Sequence, residues 1–104
     1  MEQLKLNFHR AMLGIYQTSK KELGYNANRF VQMLTSPDES IRTAKKFVLS
    51  QTPSDGFSEL WSRGRLDLTV EALVGFHEEF EPLFSEDERN AARNRLINMG
   101  YKPS

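Results

Sequence analysis

The densest run of chemically capable side chains lies at 56–68: Gly56-Phe57-Ser58-Glu59-Leu60-Trp61-Ser62-Arg63-Gly64-Arg65-Leu66-Asp67-Leu68. Two arginines flank a glycine, with an indole and a carboxylate close by. Arg63 and Arg65 are suited to gripping a phosphate or carboxylate, because the guanidinium fork presents parallel N–H donors to such groups. The other use of the same residues is internal. Arg65 then pairs with Asp67, Glu71 or a carbonyl and pins the turn, while Trp61 joins the core. Spacing alone leaves both open.

A second cluster, Glu78, Glu79 and Glu81, has the charge to hold a divalent cation or a basic partner. It lacks the alternating Asp/Asn ligands and central glycine of a calcium loop, so a solvated acidic face is the simpler reading. Glu86, Asp87 and Glu88 follow Ser85 and fit the first turn of a helix, where acids are favoured by the dipole. His9 and His77 are the only side chains that titrate near neutrality when unperturbed. Neither has the H-E-x-x-H spacing of a metal site, so both read as structural or solvent-facing. The chain has no cysteine, which excludes disulfides, thiolate ligands and thiol nucleophiles and fits a reducing compartment. No Ser-His-Asp set, phosphate-binding glycine loop or nucleotide fingerprint is present. The sequence therefore assigns no catalytic, cofactor-binding or metal-binding residue, and the chain reads as a non-enzyme.

Net charge is zero, but its distribution is uneven. Residues 1–65 hold ten Lys/Arg against six Asp/Glu, residues 66–88 hold eight acids and no base, and residues 89–104 hold four bases and no acid. A general nucleic-acid binder normally carries a surplus of base, because phosphate neutralisation dominates its affinity. The alternative reading as a nucleic-acid-binding accessory protein rests on Arg63, Arg65 and basic helix faces: Arg42, Lys45 and Lys46 on one helix, Arg89, Arg93 and Arg95 on another. No pair of helices shows the turn spacing of a helix-turn-helix, so these six read as exposed, solubilising charge.

The elements that must position these groups are helices. Leu4, Phe8, Met12, Ile15, Ser19 and Leu23 recur every three or four residues, the stripe of a helix over 3–23, stopped by Gly24. Leu6 and Leu13 lie seven apart on another face of that helix, a second apolar surface for a partner or a second copy of the chain. A short helix follows to Leu34. Ser36-Pro37-Asp38-Glu39 reads as a capping box opening a helix over 37–50. Ser54 or Asp55 caps a helix over 56–63, stopped by Gly64. Asp67 or Thr69 starts another that ends near Gly75, and 76–84 is a short helix or turn. Ser85-Glu86-Asp87-Glu88 is a second capping box, for a helix over 86–99 closed by Gly100 with Tyr101 folding back. Alternating strand patterns are nearly absent. The expected fold is all-α, a compact bundle of five or six short helices in a single domain over 1–104. Its expected core includes Tyr16, Phe30, Phe47, Phe57, Trp61, Phe80 and Phe84, with Leu34, Leu60, Leu66, Leu73, Leu83 and Leu96. At this length folding buries only about 60–65% of the unfolded surface, which predicts one modest core and no deep cleft between lobes.

Several strings resemble parts of one pattern. They are Gly24-Tyr25-Asn26-Ala27-Asn28-Arg29-Phe30-Val31-Gln32-Met33-Leu34, Thr43-Ala44-Lys45-Lys46, and Ser54-Asp55-Gly56-Phe57-Ser58-Glu59-Leu60-Trp61. The most specific is Gly64-Arg65-Leu66-Asp67-Leu68-Thr69-Val70-Glu71-Ala72-Leu73-Val74, with Leu83-Phe84, Ala91-Ala92-Arg93, Arg95-Leu96 and Gly100-Tyr101 after it. Together they are similar to a family of small bacterial proteins of unknown function, about a hundred residues long. Ser36-Pro37-Asp38-Glu39 stands where that pattern has a glycine-containing turn, and Gly75-Phe76-His77 where it has a proline-containing link. The resemblance implies a helical fold and a bacterial setting, and supplies no activity, cofactor or catalytic residue.

The first twelve residues mix Glu2, Lys5, His9 and Arg10 among their leucines, unlike a signal peptide. No run approaches the ~20 apolar residues of a membrane span. The expectation is a cytoplasmic protein-interaction or accessory module. Its candidate partner surface is Leu6, Leu13, Arg63, Arg65, Glu78, Glu79 and Glu81. Its partner is another protein or a second copy through the first helix, with nucleic acid the less favoured alternative and no membrane.

Overall fold

Hydroxyl side chains start four of the helices. Ser36, Ser54, Thr69 and Ser85 each sit in extended backbone and accept a hydrogen bond from the amide three residues on, at Glu39, Phe57, Ala72 and Glu88. Each thereby satisfies one of the amides a first helical turn leaves unpaired. The structure, a computed structural model, describes residues 1–102, which form α-helices α1 (Glu2–Leu23), α2 (Asn28–Gln32), α3 (Pro37–Leu49), α4 (Asp55–Ser62), α5 (Val70–Phe76) and α6 (Glu86–Asn98). Two 3-10 segments, Leu66–Leu68 and Glu78–Leu83, flank α5, and no strand occurs among the described residues. The fold is all-α, as the periodicity predicts. Of the two expected capping boxes, only Ser85/Glu88 is reciprocal, the Glu88 carboxylate accepting from the Ser85 amide at 2.7 Å. At Ser36 the Glu39 carboxylate is instead engaged by Arg42.

Glycine stops three helices. Gly24, Gly64 and Gly100 have φ of 66°, 72° and 91°. The next residue donates back across the last turn in each case: Tyr25 to the Ser19 carbonyl at 3.2 Å, Arg65 to Leu60 at 2.8 Å, Tyr101 to Leu96 at 2.9 Å. This is the Schellman arrangement, which needs a left-handed residue and so favours glycine. Two other helices, α3 and α5, are finished from outside. Arg95 donates to the Phe47 carbonyl at 2.9 Å and to the Ser50 carbonyl, closing α3. Arg89 and Arg93 reach Val74 and Gly75 at 3.3 and 2.7 Å, closing α5. All three arginines come from α6. The expectation that Arg89, Arg93 and Arg95 are exposed and solubilising is therefore corrected: Arg89 is 6% exposed, and the other two are half-buried. A cation at a helix C-terminus is favoured both by the free carbonyls and by the dipole.

α5 is the axis of the packing. Every residue from Val70 to Gly75 is buried, so this helix has no solvent face. Around it Phe8 and Met12 of α1, Ala44 and Val48 of α3, and Phe80, Leu83 and Phe84 form the larger cluster. Phe80 and Phe84 both meet the Phe8 ring edge-on with centroids 5.1 Å apart. A smaller cluster gathers Phe57, Leu66, Ala72 and Leu96. Ser19, the polar member of the α1 stripe, is buried because its hydroxyl donates to the Ile15 carbonyl one turn back, at 2.7 Å. Gly75 marks the closest approach of α5 to α6: a Cβ there would lie 2.9 Å from Cγ of Arg93.

Three expected core aromatics, Phe57, Phe80 and Phe84, are buried, whereas Phe30, Phe47 and Tyr16 are half-buried. Trp61 is the correction, being 48% exposed. Phe57 and Leu60, three apart, define the inward face of α4, and Trp61 sits about 100° round from Leu60 at the edge. Its indole N–H donates to the Met99 carbonyl at the end of α6, 3.3 Å away. The radius of gyration, 12.5 Å, is close to the ~13 Å of a compact chain of this length. Among the described residues no helix is long and apolar enough to cross a membrane.

Candidate functional site

Between the two clusters the packing leaves a pocket of about 430 Å³ that opens to solvent. One wall is the C-terminal half of α1, with Ile15, Tyr16 and Ser19. The link after Gly24 and the short α2 form a second wall, from Tyr25 to Phe30 together with Met33. The start of α4 supplies Ser54, Asp55, Gly56 and Phe57, and the floor is Phe47 with the stretch from Leu68 to Glu71. The sequence explains the gap. Helix α2 has five residues and none of them is buried, so it covers α1 and α3 without filling the space beneath it. Phe30 and Phe47 lean on the larger cluster, with ring centroids 6.1 Å apart, while Phe57 belongs to the smaller one. The expectation of a modest core without a cleft between lobes overlooked this opening between helices.

The lining is mainly apolar, and most of its polar groups are already committed. Tyr16 donates to Asn26 at 2.8 Å, and Thr69 donates to the Leu66 carbonyl at 2.7 Å while accepting from Ala72. Ser54 caps α4. Glu71 is 1% exposed, and its carboxylate accepts from Arg95 at 3.0 Å. Burial pushes the Glu71 carboxyl up from its ordinary range, more than its own amide and Arg95 pull it down. Burial, followed by the nearby acids Glu59 and Asp55, also raises Tyr25, whose hydroxyl therefore keeps its proton. Among the described residues, Arg29 and Asp55 line the pocket without an internal ion pair or side-chain hydrogen bond. A pocket of this size and polarity falls within the range of small-ligand sites, roughly 300–1,000 Å³. Its groups can hold an apolar body and fix polar ends.

The residues singled out by sequence lie elsewhere. Arg63 donates to Glu59 at 2.7 Å and to the Leu23 carbonyl at 2.9 Å, finishing α1. Arg65 grips both oxygens of Asp67 at 3.1 Å and reaches Glu22 at 2.8 Å. The pair pins the turn after α4 to the end of α1. Glu78 and Glu81 converge on Arg89, each at 3.1 Å, and Glu79 lies 3.4 Å from His77. Leu13 packs against the larger cluster and Leu6 is half-buried. His9, half-buried, meets the fully buried Ser40 hydroxyl at 2.6 Å, and the pair ties α1 to α3. Tyr25, Arg29, Asp55 and Glu71 were not singled out because they come from four separate segments that no spacing connects. No protein-family model, curated protein or solved structure matches the chain.

Proposed function

We propose that the chain is a non-enzymatic protein-interaction module, working in the cytoplasm of a bacterium, that receives an apolar side chain of its partner in the pocket beside α2. The single observation that carries this reading is the pocket itself: an apolar lining open to solvent in a domain whose other apolar residues are largely packed. Apolar anchors seated in pockets supply most of the energy of protein interfaces. The nucleic-acid alternative draws less support. Arg63, Arg65, Arg89 and Arg95 hold carbonyls and carboxylates of the fold, and phosphate binding would have to displace them. Association of two copies through α1 would have to use Leu6 and Leu13, which are half-buried.

Selection of random peptides against the immobilised protein tests the proposal. Gly56→Trp and Ala27→Trp, both placed in the lining, serve as plugged counter-targets, with circular dichroism and melting curves confirming that each folds. The expected result is enrichment of peptides that share a bulky apolar residue and are lost on both plugged variants. Enrichment that ignores the plugs, or none at all, rejects the pocket as the partner site. Salt-sensitive binding of duplex or single-stranded nucleic acid would favour the alternative.

A further inference from the structure

The rim of the pocket is bipolar. Arg29 stands on α2 and Asp55 on the first turn of α4, two walls of the same opening. Elsewhere many charges are matched inside the molecule, Arg63 with Glu59, Arg65 with Glu22 and Asp67, Arg89 with Glu78 and Glu81, Arg95 with Glu71, Lys45 with Glu88 and Lys5 with Asp38, while Arg10, Lys20, Lys21, Lys46, Glu86 and Asp87 are exposed charges outside the pocket lining. Arg29 and Asp55 take no part in that pattern among the described residues, although each borders apolar surface that a ligand would cover. A ligand bearing a single charge answers one of them and brings like charge or desolvation to the other. A phosphate chain meets Asp55, and a polyamine meets Arg29.

On the reading that the pocket is a partner site, we propose that its occupant is a peptide segment with a bulky apolar residue flanked by an acid, which meets Arg29, and a base, which meets Asp55. The apolar residue enters between Phe30 and Phe57, and the flanking chain runs across the opening from α2 to α4. The Tyr25 hydroxyl, protonated and bordering the same opening, is placed to donate to a carbonyl of that chain. Charge of both signs at a rim sets direction and register, because reversing the segment brings like charges together.

Charge exchange between the peptide and the rim provides the test. A labelled peptide from the selection above is measured by fluorescence anisotropy against wild type, Arg29→Glu, Asp55→Lys and the double variant. Asp55→Asn is a second variant that keeps an uncharged polar residue in the first turn of α4 should the lysine unfold it. Each single exchange is expected to weaken binding roughly tenfold, with recovery when the matching flank of the peptide is reversed in sign. Changes below about twofold with every flank, in a peptide still blocked by Gly56→Trp, would overturn the bipolar assignment and leave the partner site standing. Loss of the plug effect would instead remove the partner site itself. Free phenylalanine or leucine binding with the same charge sensitivity would replace the peptide by an amino acid and overturn this inference.

Discussion

Glu71 carries a carboxylate into the most buried helix of the molecule, at the floor of the pocket. Because burial raises its proton affinity in the folded state, folding favours the protonated form, and the sign of its pH dependence follows. Its contribution to stability is fully present below the ordinary value of 4.5 and is lost as pH rises through the raised folded value. Glu71→Gln does not titrate. The stability of wild type relative to that variant, from urea unfolding, is therefore expected to rise as pH falls from neutrality toward 4.5; a fall would show that Arg95 outweighs desolvation. Replacing Arg95 by alanine leaves the buried carboxylate unpaired and the end of α3 open, at an expected cost of about 3–5 kcal/mol. Trp61 is less demanding. Half of it is already exposed, so Trp61→Ala is expected to cost roughly 1–2 kcal/mol in thermal unfolding, against about 3–5 for a fully buried aromatic. A loss in the larger range would mean that its hold on the end of α6 is structural.

At the scale of elements, two glycines in helices make opposite predictions. A methyl at Gly75 would lie 2.9 Å from Cγ and 3.2 Å from the amide nitrogen of Arg93, so α5 and α6 must separate to admit it. Gly75→Ala is expected to destabilise by about 1–3 kcal/mol. A methyl at Gly56 finds its nearest neighbour, the Tyr25 hydroxyl, at 3.7 Å, and Gly56→Ala is expected to stabilise by about 0.5–1 kcal/mol. Equal melting shifts of one sign would contradict the packing described. Helix starts and glycine stops were legible in the sequence because they are local: Ser54 needs only Phe57, and Gly64 only its own turn. The finish of α3 and α5 was not, since Arg95 and Phe47 are forty-eight positions apart and nothing in either neighbourhood announces the other. Periodicity also placed Trp61 beside Leu60 on the inward face, where one step of rotation carries it to the edge. The pocket was illegible for a similar reason. It is a shortfall in packing under α2, a property of how helices of unequal length meet.

Taken whole, the molecule has a graded interior. The segment from Val70 to Gly75 is buried throughout, while α2 has no buried residue. Local opening follows the sparsest contacts, so amides of α2 are expected to exchange first among the helices and those of α5 only with global unfolding. Hydrogen exchange followed by mass spectrometry or NMR checks this order, and early exchange of α5 would overturn it. The balanced charge has the same internal character. The acids of 66–88 and the bases of 89–104, opposed in the sequence, meet on α6, Glu71 of α5 with Arg95, and Glu78 and Glu81 of the second 3-10 segment with Arg89.

Because Arg89, Arg93 and Arg95 close two helices that precede them in the chain, a ribosome delivers α3 and α5 with their last carbonyls still waiting. Neither can be completed until the segment around residue 95 has cleared the exit tunnel. Water can hydrate those carbonyls in the meantime, so the native ends of α3 and α5 are set only when the last helix docks.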